Sequence, residues 1–112
     1  MNTLKQTLVR ARQLITPPEA WTQAEFARDK NFNPVAAVSD EAVCFCGLGA
    51  NERAAFELFS GETKAVYEDA ADRALYRALY RAGCTLLFSD LNDTSTHAEV
   101  LAVFDSAIED SA

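Results

Sequence analysis

After Arg81 the chain contains no basic residue, while Asp90, Asp93, Glu99, Asp105, Glu109 and Asp110 follow. Residues 1–60 carry six Lys/Arg against seven Asp/Glu, residues 61–112 carry four against ten, and the net charge is −7. A surface of this sign repels phosphate backbones and anionic lipid, so neither nucleic acid nor membrane is expected as a direct partner. It suits a basic protein surface, or solubility alone. No apolar run approaches the ~18 residues of a transmembrane helix. Residues 1–14, with Lys5, Arg10 and Arg12, lack the uninterrupted apolar core of a secretory signal. The three cysteines, Cys44, Cys46 and Cys84, are odd in number and without disulfide-framework spacing. That fits a reducing compartment, and the expected location is cytoplasmic. There is no glycine-rich phosphate loop, serine-centred nucleophile elbow or histidine-rich metal helix.

What is present is material for a core. Hydrophobic residues make up 49% of 112, with seven Phe, three Tyr and one Trp, enough to bury an interior without disulfides or a structural metal. The length is that of one domain spanning residues 1–112.

Thr3 and Gln6 have capping-box spacing, and Leu4, Leu8, Ala11 and Ile15 then form one helical stripe that Pro17 and Pro18 terminate. Thr16-Pro17-Pro18-Glu19 suits a short helical turn reaching Trp21. From Thr22 to Ser39 the period is lost. The turn-rich stretch from Asp29 to Asn33 lies between Phe26-Ala27-Arg28 and Pro34-Val35-Ala36-Ala37, which predicts an irregular loop or a two-stranded hairpin. Ser39-Asp40 predicts the cap of a second helix running from Glu41 to about Phe59, apolar on every face from Val43 to Ala50 and therefore central. Gly47 and Gly49 each cost roughly 1 kcal/mol inside a helix. Either another backbone crosses there, or the helix begins only near Cys46.

The third helix is expected from Thr63 to Ala82. Its stripe is Val66, Ala70, Ala74, Ala78 and Ala82 beside Leu75 and Leu79, and Gly83 is the left-handed residue after it. Thr85-Leu86-Leu87-Phe88 reads as a buried strand or an extra helical turn, and Asp90 to Ser95 as a polar loop. Thr96-His97-Ala98-Glu99 forms a capping box into a last helix lined by Val100, Leu101, Phe104, Ala107 and Ile108. The expected fold is mainly α, a compact bundle of about four helices with room for a small β-hairpin or short strands.

Several short motifs stand in a telling order: Trp21-Thr22-Gln23, Ala27-Arg28-Asp29, Ala42-Val43 with Cys46-x-x-Gly49-Ala50, Asn92-Asp93, and Thr96-His97-Ala98-Glu99-Val100-Leu101. Together, from about Leu4 to Ile108, they resemble the family labelled domain of unknown function 6197, found in bacterial and tailed-phage proteins. The Asn92-Asp93 loop lacks the glycine of that family's turn. The resemblance implies a small cytoplasmic protein, sometimes phage-encoded, and brings no activity or cofactor with it.

Candidate chemistry gathers around the sulfurs and the single histidine. Cys44, Cys46, Cys84 and His97 form a zinc-type ligand set. A helical Cys-x-Cys, however, turns its two sulfurs about 200° apart at ~100° per residue, and paired knuckles are absent. No metal and no cofactor is expected. Cys46 with His97, oriented by Asp93 or Asn92, is the candidate catalytic arrangement, but the apolar surroundings of Cys46 favour a neutral thiol. Asp90, Asn92, Asp93 and Thr94 fail as a calcium loop, because the required glycine and glutamate positions hold Ser95 and Leu101. Arg73, Arg77 and Arg81 form a basic line best read as pairing with Asp69, Asp72 or acids of the last helix. Trp21 is either a half-buried core residue or an interaction anchor. The leading expectation is a non-enzymatic protein-binding accessory factor, acting on a host protein through Asp90, Asp93, Glu99, Asp105 and Glu109, with Trp21. A small cysteine-dependent enzyme is the alternative, and a self-associating domain the third reading.

Overall fold

The computed structural model describes residues 3–84 and 87–111. Helix α1 (Thr3–Ile15) follows the expected stripe: Leu8, Ala11 and Ile15 are fully buried, and Leu4 packs against them. The two prolines end it, and a single 3-10 turn (Pro18–Ala20) follows. Its last amide bond, from Trp21 N–H to the Pro18 carbonyl at 3.2 Å, delivers Trp21 to the core edge.

The sheet is small, and its second strand lies beyond the 34–37 flank. β1 (Ala27–Arg28) is antiparallel to β2 (Cys44–Phe45), with Ala27 opposite Phe45 and Arg28 opposite Cys44. The 34–37 flank meets β1 through the Arg28–Pro34 bridge and the Val35 N–H bond to the Ala27 carbonyl. Residues 43–46 therefore bond to a strand. Val43 N–H donates to the Arg28 carbonyl at 2.9 Å, and Cys46 N–H to that of Phe26 at 3.1 Å. Those bonds fix an extended backbone, so no helix starts at Glu41. Helix α2 (Gly47–Leu58) begins after Cys46, the later of the two starts considered. Its glycines mark close approaches: a Cβ on Gly49 would stand 1.9 Å from the Phe26 carbonyl oxygen, and one on Gly47 would stand 2.3 Å from the Phe88 ring.

Helix α3 (Gly61–Arg81) is the longest element, and Gly83 follows it with φ +79°, as its position predicts. Its buried stripe is Ala71, Ala74, Leu75, Ala78 and Leu79, whereas Val66 and Ala82 are exposed. At 1.5 Å per residue α3 is about 32 Å long and α2 about 18 Å. The first ten residues of α3 therefore run past the core, and the stripe is buried only from Ala71 to Leu79.

The expected polar loop after Asp90 is instead a helix, α4 (Phe88–Thr94), with Phe88, Leu91 and Asn92 buried. Phe88 and Leu91 are one turn apart and face inward together. Thr85 and Leu86 lie outside the described residues. Helix α5 (His97–Asp110) opens with the expected capping box: Thr96 Oγ1 accepts from Glu99 N–H, and the Glu99 carboxylate accepts from Thr96 N–H, each at 3.2 Å. Phe104 of α5 meets Phe88 edge to face, with centroids 6.1 Å apart. The chain is thus mainly α with one small antiparallel sheet. No helix among the described residues is long and apolar enough to cross a membrane.

Candidate functional site

The start of α2, residues 21–22 and α4 converge on one side chain. Asn92 is 1% exposed. Its Oδ1 accepts from the Trp21 indole Nε1–H at 2.9 Å and from Gly47 N–H at 3.0 Å. Its Nδ2 donates to the Thr22 carbonyl at 3.0 Å and to Asp93 Oδ1 at 3.4 Å. An amide offers two acceptor and two donor sites, and all four are occupied. Gln23 Nε2 reaches the Asn92 and Ser95 carbonyls, and Asp93 Oδ1 accepts Ala24 N–H at 2.7 Å. These bonds lash residues 21–24 onto α4. Ala24 is held there at φ +71°, in the left-handed region that suits glycine.

Beside this lashing lies a pocket of about 210 Å³ lined by Ala24, Glu25, Phe26, Cys46, Leu48, Ser89, Asn92 and Asp93. Cys46 is the N-cap residue of α2, its Sγ accepting from Gly49 N–H at 3.3 Å. Burial pushes its thiol above the ordinary range. The Gly49 and Leu48 amides pull the other way, and the Asp93 and Asp72 carboxylates add to the rise. The resulting neutral thiol is a poor nucleophile.

The structure brings Cys46, Asn92 and Asp93 to this pocket, but His97 is not on its wall. The His97 Nε2 lies 2.6 Å from the Ile15 carbonyl oxygen, which can only accept, so that nitrogen carries the proton. The imidazole packs on Trp21, with centroids 5.5 Å apart. Asn92 thus meets His97 only through Trp21. The zinc-type set is likewise dispersed. Cys44 Sγ lies 3.9 Å from the Arg28 carbonyl, while Cys46 Sγ faces Gly49. Among the described residues no group of three or more His, Cys, Asp or Glu is placed to hold a metal ion.

Three of the five acids expected to bind are engaged within the fold. Asp93 holds Ala24, Glu99 closes the capping box, and Asp105 pairs with Arg12 at 2.6 Å. Asp90 and Glu109 are exposed on α4 and α5. Of the basic line, Arg73 pairs with Asp69 and Arg81 with Asp110. Trp21 is half-buried against the core.

One polar pair was not foreseen. Buried Asn51 donates from Nδ2 to Asp72 Oδ1 at 2.9 Å, bridging α2 and α3, and its own Oδ1 is buried without a partner among the described residues. Burial raises the Asp72 carboxyl to about 6; the Asn51 bond opposes this, and Glu68, Asp69 and Glu52 reinforce it. The spacing of Phe88 and Leu91 was the available sign that Asn92 sits on a helix rather than in a loop.

No curated protein and no solved structure matches the chain. A family model matches residues 1–110, and on that match the chain belongs to the family of unknown function DUF6197.

Proposed function

We propose that this protein is a non-enzymatic protein-binding accessory factor of the cytoplasm, and that its contact surface is the pocket between residues 24–26, the start of α2, and α4. One observation carries the reading. Phe26 is 56% exposed at a pocket where Cys46 and Asn92 already serve the fold. A large aromatic held out of the core beside a preformed concavity is the usual anatomy of an interface anchor. The cysteine-enzyme alternative needs a base within reach of Cys46. The nearby amide is fully bonded, the imidazole is tied to Ile15 and Trp21, and burial keeps the thiol protonated. The acids of α4 and α5 contribute through Asp93 at the pocket rather than as a continuous strip.

The test places a photo-crosslinking phenylalanine analogue at position 26, with the same probe at Tyr80 on α3 as control, in the protein's own cells. A discrete adduct with one protein from position 26 alone is expected. No protein adduct from position 26, or the same products from both positions, removes the proposal.

A further inference from the structure

We infer that the occupant of this pocket is a basic segment of the partner protein, which inserts one aliphatic side chain between Phe26 and Leu48 and sets a Lys or Arg against Glu25 and Asp93. This rests on the protein-binding reading above and specifies the partner's chemistry.

The interior of the pocket decides the aliphatic part. Its apolar wall is made by Phe26, Leu48 and Cys46, whose thiol is uncharged and already accepts from Gly49. The buried amide at its edge has both acceptor and both donor positions filled by Trp21, Gly47, Thr22 and Asp93. A polar side chain entering here would lose water and gain little in exchange, which costs on the order of 1–3 kcal/mol per unmet group. An aliphatic side chain gains from the same burial. A volume of about 210 Å³ is room for one side chain.

The rim decides the cation. Glu25 and Asp93 both line the pocket, and no Lys or Arg does. Asp93 uses Oδ1 for the Ala24 amide. The nearest cation along the chain, Arg28, is committed to Thr22, Gln23 and Phe32. Two carboxylates therefore line the pocket without a cation of this chain among the lining residues, and the whole chain carries −7. Rim charges of this kind select the partner and speed its approach, while the apolar anchor supplies the affinity.

The experiment titrates the full chain with end-blocked synthetic peptides and follows backbone amide signals by NMR. The peptides are Lys-Lys-Leu-Lys-Lys, the same with Gly for Leu, and Glu-Glu-Leu-Glu-Glu. Saturable shifts at Ala24, Phe26, Cys46 and Leu48 are expected with the first. Affinity should be at least tenfold weaker with the second, and no such shifts should appear with the third. In Glu25→Lys the preference should move toward the acidic peptide, and in Phe26→Ala binding should weaken at least fivefold with the amide spectrum otherwise retained. Equal response to the acidic peptide, shifts spread over the acidic surface, or no saturable shift overturns the inference. The crosslink from position 26 separates the two levels. An adduct on a partner segment without Lys or Arg, or on a second copy of this chain, overturns the inference about chemistry. No protein adduct at all overturns the binding reading itself.

Discussion

The Trp21 indole N–H and the Asn92 carboxamide, 71 residues apart, meet at 2.9 Å, and the same oxygen takes the first amide of α2 at Gly47. One buried amide thus caps a helix, anchors the only tryptophan and ties the 21–24 segment to α4. Cys46 caps another free amide of the same turn, that of Gly49. The helix start that looks on paper like a catalytic cysteine is a splice between strand, helix and strap.

Replacing Asn92 by Ala strands Trp21 Nε1–H, Gly47 N–H and the Thr22 carbonyl away from water. Buried groups left unpaired cost about 1–3 kcal/mol each, so Asn92→Ala is expected to lose about 3–5 kcal/mol. Urea unfolding followed by Trp21 fluorescence measures this. A loss under 1 kcal/mol contradicts the hub.

Gly49→Ala drives a methyl into the Phe26 carbonyl, a backbone atom that cannot move without breaking the bond from Cys46 N–H. About 2–4 kcal/mol of destabilisation is expected. At Gly83 a methyl meets nothing within 4 Å among the described residues, and the left-handed φ is what matters, so Gly83→Ala should cost about 1–2 kcal/mol. Thermal unfolding of the two variants should rank them in that order.

Asp72 makes stability depend on pH in a defined direction. Its carboxyl is raised from 3.8 to about 6 in the fold, so the native state binds the proton more tightly than the unfolded chain. Its stabilising contribution is complete below about pH 4 and is lost as pH rises through 6. Near pH 7 the charged form burdens the fold, and Asp72→Asn should gain roughly 1–2 kcal/mol once solvent screening of this half-buried group is allowed for. The difference between variant and wild type across pH 4–7.5, which cancels the other titrating groups, is the quantity to measure. A constant difference would count against this account.

Cys46 should alkylate slowly. With its thiol raised by burial, reaction with iodoacetamide at pH 7.5 is expected to run at least tenfold below that of glutathione, and to accelerate above pH 9. Site-resolved mass spectrometry reads both. Fast labelling at neutral pH would put the enzyme alternative ahead of the binding reading.

Legibility followed the range of the interactions. The α1 stripe, the capping box at Thr96 and Glu99 and the Gly83 stop are written within a few residues, and each appears where its spacing puts it. The start of α2 was open to two readings because Val43 to Ala50 is apolar throughout, and strand pairing with Phe26 and Arg28 chose between them. Helix α4 was hidden because Asp90, Asn92, Asp93 and Thr94 carry loop composition. The motif residues Trp21, Cys46, Asn92 and Asp93 did come together, but as framework and pocket wall rather than as a reacting set.

The chain's own sequence determined its helical class, its acidic second half and the ends of three helices, because periodicity, charge and caps are local properties. Only the tertiary structure decided that Asn92 is buried, that Cys46 closes a strand and opens a helix, and that Phe26 faces outward beside a pocket. Each of those depends on partners between 20 and 71 residues away. Burying an amide is favourable only when distant groups satisfy all its bonds, and nothing in the neighbouring residues records where those groups will be.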